Sequence, residues 1–515
     1  VRPVVGRHAR IATLLIAAVA LTACAPSLQR GEYQASYSMP APAADTVWQD
    51  IAAATGALQP DWFVPIDTGP EALRMRLALI DSATESIDAK YFIWHEDHTG
   101  SLLLERVLQA ADRGVRVRLL IDDVEISGAA LAWRAADAHP NIEIRLYNPF
   151  LARSDSALGR YLKNLNQFAR VNHRMHNKAL IVDGQVAMIG GRNVADEYHG
   201  FGEDANFRDF DVLVGGDVLA ALEVGYDTFW NSGWAVPVTD AAGEPPGDSA
   251  LLDMRAGLDQ RLARVQPWLE QHHAGPHDWR ADLLAVVATA VPGQARALYD
   301  RAEVDAPVGA EQVASEIAKA AYKTRDNLLL VTPYLVPTDR MLDGLTALHE
   351  RGVRLTVLTN SMATNNHLPV HAAYANHRGD LLDRDVELYE FRIDAAAREI
   401  YEAPGFTAER FTLHAKVLLR DDRWVFVGTF NLDPRSIVQN TELGLEIDSP
   451  ALARRIREYI QKDLVPQNAW RVDRNDKGEL EWVAGTERVS SEPGTTGWQR
   501  LKSWLLGLAP FESQL

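Results

Sequence analysis

The sequence predicts an α/β protein made of two tandem lobes, each a mainly parallel or mixed sheet covered by helices. An internal repeat is the first reason, because DRGVRVRLLID at 112–122 recurs as ERGVRLTVLTN at 350–360. A second segment, HNKALIVDGQVAMIGGRN at 176–193, recurs as HAKVLLRDDRWVFVGTFN at 414–431, and both displacements (350 − 112 and 414 − 176) are 238 positions. Buried strand-like runs also alternate with helix-like segments in each copy, which favours a sheet with helices on both faces. A duplicated lobe further predicts a pseudo-twofold relation between the copies.

The elements of the two copies are expected in the same order. A periodic helix leads to a buried strand, then to a second helix closed by a glycine, and then to another buried strand. These segments are 71–86, 87–94, 102–114 and 115–121 in the first copy, and 309–324, 327–334, 340–352 and 353–358 in the second. One more strand and a helix are expected after each of the segments 176–193 and 414–431.

The repeats place the first lobe at 46–235 and the second at 301–485. The stretch between them, 236–300, has three prolines within 237–246 and is predicted to be a linker or connecting region. Near the end of the chain, 495–511 is predicted to form an amphipathic helix, with large apolar residues on one side beside two basic ones. Such a helix suits either the interface of a lipid bilayer or packing on the protein's own core.

Composition excludes several classes of protein. The chain has 515 residues, 47% of them hydrophobic and 24% charged, which is typical of an ordinary globular protein. Its formal net charge of −18 argues against a nucleic-acid-binding protein, because affinity for nucleic acid comes largely from clustered cations. The chain has one cysteine, Cys24, so an intramolecular disulfide framework or a cysteine metal cluster is excluded.

The first residues have the pattern of a secretory signal peptide. Residues 1–10 carry three arginines and no acid, and the apolar run 11–21 is too short to span a bilayer comfortably. The sequence Leu-Thr-Ala-Cys that ends at Cys24 resembles the bacterial lipoprotein box. This resemblance implies removal of 1–23, lipidation of Cys24 and a tether over 24–45.

The same resemblance predicts where the protein resides. A lipidated cysteine implies the bacterial cell envelope, on its periplasmic side, because several acyl chains on one residue hold a protein firmly on a membrane. Position 25 is alanine rather than aspartate. By similarity to lipoprotein sorting, this favours the outer membrane over the inner one.

The repeated segments carry the candidate catalytic residues at matching positions. Each copy has His-x-Lys, an Asp five residues after the Lys, and an Asn ten residues after that Asp. These residues are His176, Lys178, Asp183 and Asn193 in the first copy, and His414, Lys416, Asp421 and Asn431 in the second. On a strand, residues two apart face the same side, so the His and Lys of each copy project together. If the lobes meet face to face, two imidazoles, two ammonium groups and two amides are gathered in one place.

These groups suit phosphoryl transfer. One imidazole can attack phosphorus, the other can protonate the departing alkoxide, and the lysines and asparagines can hold the non-bridging oxygens. A zinc site is the rival use of histidines. It is disfavoured because a lysine beside each histidine is a poor neighbour for a cation and no carboxylate or thiolate is spaced as a partner ligand. A zinc site is therefore not expected, and no cofactor is predicted.

Both segments resemble the HxKxxxxD motif of the phospholipase D superfamily, including the trailing GGRN and GTFN. More narrowly, YFIWHEDHTG at 91–100, together with RMHNKALIVDG and GGRNVADEY, is similar to bacterial phospholipase D-like cardiolipin synthases of the C type. The resemblance covers nearly all of the chain after the signal peptide. It implies a covalent phosphohistidine intermediate, no metal ion, and one active site shared by both lobes.

The resemblance also implies roles for individual residues. His176 would be the nucleophile and His414 the acid and later the base, although the near symmetry of the copies leaves the reverse assignment open. The phosphate oxygens would be bound by Lys178, Lys416, Asn193 and Asn431.

Four carboxylates accompany this set. Asp183 and Asp421 complete the catalytic motif, and their position in turns indicates that they anchor those turns rather than touch substrate. Asp209 and Glu442 occupy similar places after the motifs, where the family has an acid that orients and charges a catalytic histidine. A surface salt bridge is the alternative interpretation of Asp209 and Glu442. Arg174 and Arg192 are expected to make the cleft locally positive.

The resemblance implies a membrane-anchored phosphatidyltransferase that moves a phosphatidyl group to phosphatidylglycerol or another alcohol. Its expected partners are phospholipids, namely phosphatidylglycerol and also phosphatidylethanolamine, and the membrane surface. Hydrolysis of phospholipid to phosphatidic acid is an open alternative, since water can replace the alcohol. A nucleic acid phosphodiesterase is a further alternative, which the net charge disfavours, and a non-enzymatic scaffold is disfavoured because both motifs are complete. The donor lipid, the acceptor, the oligomeric state and any need for a partner protein stay open.

Overall fold

The computed structural model describes residues 33–40, 46–126, 130–245, 247–303 and 312–508. The helices up to residue 300 are α1 (Val47–Thr55), α2 (Gly69–Asp81), α3 (His98–Asp112), α4 (Leu131–Ala136), α5 (Ala157–Lys163), α6 (Phe168–Val171), α7 (Asp196–His199), α8 (Val218–Trp230), α9 (Val238–Ala242), α10 (Ala250–Leu262), α11 (Gln266–Gln271) and α12 (Arg280–Val287). The strands of this part are β1 (Asp61–Ile66), β2 (Ser86–Tyr91), β3 (Arg116–Asp122), β4 (Ile142–Tyr147), β5 (Ala179–Val182), β6 (Val186–Gly190), β7 (Ala205–Arg208), β8 (Asp211–Gly216), β9 (Ala235–Pro237) and β10 (Val291–Tyr299).

The remaining helices are α13 (Gln312–Tyr322), α14 (Asp339–Glu350), α15 (Leu368–Leu382), α16 (Pro434–Val438), α17 (Pro450–Asp463) and α18 (Gly497–Gly507). The remaining strands are β11 (Asn327–Val331), β12 (Arg354–Asn360), β13 (Glu387–Phe391), β14 (Arg410–Leu413), β15 (Val417–Arg420), β16 (Trp424–Gly428), β17 (Leu443–Asp448), β18 (Ala469–Arg474), β19 (Leu480–Ala484) and β20 (Glu487–Val489). Short 3-10 turns occur at Leu165–Gln167 and Ala396–Ile400.

One continuous mixed sheet runs through both halves of the molecule. In the first half β2, β3 and β4 are parallel, and β5, β6, β8 and β1 continue from β2 by antiparallel pairing. In the second half β11, β12 and β13 are parallel, and β15, β16, β17 and β10 continue from β11 in the same way. The halves join where β1 pairs with β10, with Phe63 opposite Val291. The predicted α/β class with two repeated lobes and mixed sheets is confirmed.

Capping residues explain several helix boundaries. The Thr68 hydroxyl accepts the N–H of Glu71 at the start of α2, and the Ser449 hydroxyl accepts that of Leu452 at the start of α17. At the ends of α3 and α14 the chain leaves the helix through Gly114 and the glycine 238 positions later, with φ of 99° and 77°. Residues with side chains rarely adopt such angles, which accounts for the glycine that closes the second helix of each copy.

The stretch 236–300, predicted as a linker or connecting region, contains α9 to α12 and the strand β10. Residues 291–293 of β10 pair with β1 and residues 294–299 pair with β17, so β10 belongs to the central sheet. Its sequence, VPGQARALY, contains a proline and a glycine and does not resemble a strand. Pairing with β1 and β17 therefore stabilises the strand conformation of a segment whose own preference for it is weak.

A second, two-stranded sheet links the halves close to the motifs. β7 of the first half pairs in parallel with β14 of the second, with Arg208 opposite Leu413. β14 runs directly into His414, and an isolated bridge joins Met175 to Thr441. The segments that lead to both motif histidines are therefore held by backbone bonds to the other half.

The described part of the predicted tether, 33–40, lies along the first half. Ser36 exchanges hydrogen bonds with Asn231, and the Ser38 N–H donates to Asp227. The Arg118 guanidinium donates to the Ser36 carbonyl oxygen at 2.8 Å. Cys24 and the predicted signal peptide lie outside the described residues, as do 509–511 of the predicted amphipathic helix. In the part of the chain that is described, no helix has both the length and the apolar character needed to cross a membrane.

Candidate active site

The two motif histidines lie where the halves meet. His176 and His414 stand two residues ahead of Lys178 and Lys416, and β5 and β15 begin directly after those lysines. The His176 N–H donates to the carbonyl oxygen of Thr441 at 2.9 Å. The His414 N–H donates across the interface at 2.7 Å in the same manner, to a residue of β7. The backbone of each histidine is thus fixed by the half that does not contain it.

Each histidine also takes its carboxylate partner from the other half. His176 Nδ1 lies 2.9 Å from Glu442 Oε2, and His414 Nδ1 lies 2.6 Å from Asp209 Oδ2. Both carboxylates are completely buried. A surface salt bridge, the alternative interpretation of these two acids, is therefore wrong. With Nδ1 occupied in this way, the Nε2 atom of each ring is the nitrogen left for chemistry.

The two carboxylates differ in their proton affinity. Burial opposes ionisation of Asp209, but the hydrogen bond from His414 and the charge of Lys416 outweigh it and lower the pKa of Asp209 to about 2. Burial dominates at Glu442 and raises the pKa of that carboxyl to about 8, although the Thr429 hydroxyl donates to it. Asp209 is consequently ionised at neutral pH, whereas Glu442 is largely protonated.

Both imidazoles are held in the neutral state by their surroundings. Burial and the charges of Lys178 and Lys416 lower the pKa of His176 well below its ordinary value. Burial and Lys416 likewise lower the pKa of His414 to about 3, against the opposing effect of Asp209. Because the lysine of each motif acts on the histidine of the other, the two motifs form one electrostatic unit.

The lysines are buried next to the imidazoles. Lys178 Nζ donates to the His176 carbonyl oxygen at 2.8 Å. Lys416 Nζ donates to the His414 carbonyl oxygen at 2.5 Å and lies 3.0 Å from the Nδ1 atom of the same ring. Burial lowers the pKa of Lys416 to about 8, and burial together with repulsion by Lys416 lowers the pKa of Lys178 strongly. An arriving anion would restore the positive charge of both ammonium groups.

The two motif asparagines differ. Asn193 Oδ1 accepts the N–H of Ile93 at 3.2 Å, and its Nδ2 donates to the Tyr198 hydroxyl at 2.8 Å. Asn431 is 5% exposed, and its Oδ1 has no hydrogen-bond partner among the described residues. Asn193 thus stabilises the surroundings of the site through its two hydrogen bonds, whereas the Oδ1 atom of Asn431 forms none.

The motif aspartates lie at the other end of their strands. The Asp183 carboxylate accepts the N–H groups of residues 84–86 at 2.7 to 2.8 Å, together with the Trp48 indole N–H. The Asp421 carboxylate accepts the N–H groups of residues 325–327. The structure therefore does not bring these two members of the predicted catalytic set to the imidazoles. It places them where they anchor the turn after β5 or β15 to the start of β2 or β11.

Aromatic residues surround the imidazoles, and the sequence analysis did not identify them. The His414 ring stacks on Phe207 at 5.1 Å and 13° and meets the edges of Tyr198 and Tyr334. The His176 ring meets the Phe92 ring edge-on at 5.0 Å. Phe92 directly follows β2, so a search for residues beyond the carboxyl ends of the parallel strands could have found it.

The expected basic pocket differs from the structure. Arg174 and Arg192 are completely buried and form ion pairs with Asp122 and Asp211, at 3.0 and 3.3 Å. They therefore form ion pairs in the protein interior and do not make the cleft positive in the way that was expected. The cation near the site that the sequence analysis missed is Arg435, whose charge contributes to the lowered pKa of His176.

One group of described residues has potential metal ligands close together, outside the motifs. The ligand atoms of His95, Asp97 and Glu197 all lie within 4.8 Å of one another. His95 Nε2 is already 3.0 Å from Glu125, and this hydrogen bond raises the pKa of His95 to about 9. The protonated His95 imidazole therefore supplies the positive charge beside these acids, which a metal ion would otherwise supply.

Comparison with known proteins identifies the family. Residues 77–211 and 315–464 match the sequence model of the family described as cardiolipin synthase, PLD-like domain. The chain is 32% identical over 464 residues to cardiolipin synthase C of Escherichia coli (strain K12), covering 87% of this chain and 95% of that protein. It is 28% identical over 446 residues to an uncharacterized protein of Helicobacter pylori (strain J99), covering 85% and 87%.

A solved structure has the same fold. The phosphatidylserine synthase of Haemophilus influenzae Rd KW20 superposes with a TM-score of 0.53 at 14% sequence identity, covering 80% of this chain and 90% of that one. The fold, the paired motifs and the sequence match agree with one another. The chain belongs to the cardiolipin synthase family of phospholipase D-like proteins.

Proposed function

We propose that the protein is a membrane-bound phosphatidyltransferase that passes a phosphatidyl group through a phosphohistidine to phosphatidylglycerol or another alcohol. One observation carries the proposal: two buried imidazoles from different repeats, each with a carboxylate from the opposite repeat at Nδ1, share a site with two buried lysines. Membership of the family makes the chain a phospholipase D-type enzyme, and the specific transfer is the proposed part.

The first step forms the covalent intermediate. The Nε2 lone pair of His176 attacks the phosphorus of the donor lipid, so an N–P bond forms while the P–O bond to the headgroup alcohol breaks. The entering phosphodiester anion raises the pKa of His414, so the ring takes up a proton, and Nε2 of this imidazolium gives its proton to the departing alkoxide. Ionised Asp209 supports this role because it favours the imidazolium form of His414.

The second step releases the product. His414, now neutral, removes the proton of the acceptor hydroxyl, the acceptor oxygen attacks phosphorus, and the N–P bond breaks. When the acceptor is the headgroup glycerol of phosphatidylglycerol, the product is cardiolipin. When the acceptor is water, the product is phosphatidic acid.

Charge at the phosphorus is stabilised by the motif cations. Lys178 and Lys416 are buried beside the imidazoles, and the negative phosphodiester that enters raises their pKa values and restores their charge. The Oδ1 atom of Asn431 has no hydrogen-bond partner among the described residues, so turning this amide would break no hydrogen bond of Oδ1. This supports the proposal that the Asn431 N–H groups bind a non-bridging oxygen.

The proposal places the protein on a membrane of the bacterial envelope, anchored through lipidated Cys24 on the periplasmic side, with the outer membrane favoured over the inner. The amphipathic helix supports contact with a bilayer. The Gly507 carbonyl oxygen accepts a hydrogen bond from Asn376 of α15, while Trp498 and Trp504 on α18 are 62% and 61% exposed. A helix that directs its tryptophans away from the protein suits a membrane interface.

Product analysis tests the function. The purified protein is incubated with vesicles of phosphatidylglycerol, with and without phosphatidylethanolamine, and the lipids are separated by mass. Cardiolipin is the expected product, and the His176→Ala and His414→Ala variants should form none. Phosphatidic acid without cardiolipin would overturn the synthase assignment in favour of hydrolysis. Cleavage of single-stranded DNA with no lipid product would favour the nucleic acid phosphodiesterase.

A further inference from the structure

The connection between β4 and β5 exposes a row of large apolar side chains, here called the apolar stripe. It runs through α5, the following 3-10 turn and α6. The stripe consists of Leu158, Leu162, Leu165 and Phe168, which are 70, 56, 59 and 48% exposed. They recur every three or four residues along one continuous segment of short helical elements. Large apolar residues scattered singly on a surface need no explanation, but four in succession on one segment indicate a binding surface.

The surroundings of the stripe are basic although the chain as a whole is acidic. Between residues 151 and 172 the chain has four basic residues and one acid, whereas the whole chain has a net charge of −18. Of the four, Arg153 is paired with Asp123 and Arg160 is buried. Lys163 Nζ donates to a backbone carbonyl oxygen, and Arg170 donates to the Gln167 side chain and to the Pro149 carbonyl oxygen. Because these acceptors are uncharged, the hydrogen bonds do not neutralise either side chain. Lys163 is exposed, whereas Arg170 is partly buried, with its Nη2 atom enclosed, and contributes only a positive field.

The stripe lies beside the active site. The residue that follows α6, Asn172, accepts two hydrogen bonds from the Arg435 guanidinium, at 2.9 Å through Oδ1 and 3.0 Å through its carbonyl oxygen. Arg435 is close enough to His176 to lower the pKa of that imidazole. Four residues beyond Asn172 the chain reaches His176. A surface that binds the stripe therefore also lies close to the segment that leads to His176.

We propose that the apolar stripe docks into the interface of an anionic phospholipid bilayer, so that the active site receives headgroups directly from the membrane surface. The stripe enters the boundary of the acyl chains, while the exposed Lys163 lies among the anionic headgroups. This contact is additional to the one made by α18. The delivery of substrate rests on the proposed function, whereas the docking itself requires no turnover.

A fluorescent probe tests the docking. The full chain with Cys24→Ser has no other cysteine, so Leu162→Cys can be labelled with bimane at one position. The matched control is Leu252→Cys on α10, a site that is 70% exposed and outside the stripe. With phosphatidylcholine and phosphatidylglycerol vesicles whose acyl chains are brominated, emission from position 162 should fall about twofold and emission from position 252 should not change. Salt at about 0.5 M or vesicles of phosphatidylcholine alone should weaken the quenching.

Two results would overturn the docking. One is equal emission changes at positions 162 and 252. The other is protection of the label at 162 from aqueous iodide before vesicles are added, because another copy of the chain would then cover the stripe. Neither result depends on catalysis, so failure of the docking can be told from failure of the proposed function.

A kinetic measurement then tests delivery of substrate. The double variant Leu162→Gln with Leu165→Gln should lower the ratio of turnover on vesicles to turnover on dispersed short-chain phosphatidylglycerol about tenfold. The control Leu252→Gln should leave that ratio unchanged. An unchanged ratio in the double variant would show that the stripe does not deliver the lipid.

Discussion

The two histidines occupy equivalent places in the two repeats, but the groups behind them are not equivalent. Asp209, behind His414, is a short carboxylate and has its pKa lowered to about 2. Glu442, behind His176, is one carbon longer, accepts the Thr429 hydroxyl, and has its pKa raised to about 8. A duplicated half-site has thus become two half-sites that differ in charge.

In the proposed mechanism this difference gives the two rings different chemistry. A fixed negative charge behind His414 stabilises the imidazolium, which is the form that donates a proton to the leaving alkoxide. A largely neutral Glu442 leaves His176 as a neutral imidazole, which is the form with a lone pair for attack on phosphorus. The near symmetry of the sequence leaves this choice open, whereas the contacts of the carboxylates favour His176 as the nucleophile.

Removal of either histidine gives the largest expected effect and tests this assignment. His176→Ala and His414→Ala should each lower turnover about 10⁴-fold or more. A phosphatidyl ester of p-nitrophenol needs no protonation of its leaving group, so His414→Ala should still form the covalent adduct and then stall without a base. Protein denatured with detergent at alkaline pH, where a histidine N–P bond survives, should therefore retain labelled lipid in His414→Ala and not in His176→Ala. The reverse pattern would exchange the two roles.

The carboxylates should differ in the size of their effects. Asp209→Asn removes a full charge from behind the proton donor and should lower turnover about 100-fold. Glu442→Gln replaces a carboxyl that is already largely neutral near pH 7, and turnover should fall only about tenfold. Turnover of both variants on phosphatidylglycerol vesicles at one pH measures the difference.

Gly191→Ala is an independent check, because a Cβ at this position would collide with the Asp209 carboxylate and should reproduce the loss seen in Asp209→Asn. The equivalent position in the second repeat is threonine, whose hydroxyl bonds Glu442. Equal losses in Asp209→Asn and Glu442→Gln would contradict the electrostatic difference between the two half-sites.

The repeat explains why much of the fold and the candidate site could be predicted. A displacement of 238 positions aligns His176 with His414 and the strands on either side of them, and strand and helix patterns are local properties of the chain. The glycines that close α3 and α14 are predictable for the same reason, since a positive φ is a local requirement.

Contacts between distant segments could not be predicted. Asp209 and His414 are 205 residues apart, and nothing in their local sequence shows that each carboxylate serves the opposite histidine. The four-residue strands β7 and β14 that bring them together have no usable pattern. Arg174 and Arg192 are of the residue type that lines a basic cleft. The structure instead buries both and pairs each with an aspartate, because a buried charge requires a counter-charge.

The anchoring aspartates extend the comparison to the stability of each half. Asp183 is almost completely buried and accepts hydrogen bonds from three backbone N–H groups, the Thr84 hydroxyl and the Trp48 indole. Asp421 accepts three backbone N–H groups at a more exposed turn. Asp183→Asn points an amide donor at these donors and should lower the free energy of unfolding by about 3 kcal/mol, against about 1 kcal/mol for Asp421→Asn. Denaturant unfolding measures both, and equal losses would contradict the unequal burial.

The smallest expected effect is on the pH dependence of stability, which should differ between Glu442 and Asp209. Burial raises the pKa of Glu442 to about 8, above the ordinary value of about 4.3, so its contribution to stability is present below that ordinary value and is lost as the pH rises toward 8. The pKa of Asp209 is lowered to about 2, so its contribution is present above about 3.9 and is lost only as the pH falls through 2. Between about pH 5 and 8 the Tm of Glu442→Gln should therefore rise relative to the unaltered chain by roughly 2 to 4 °C, while the difference for Asp209→Asn stays constant. Thermal unfolding across this range measures both differences, and a flat difference for Glu442→Gln would show that its carboxyl is ionised throughout and that the two half-sites carry the same charge.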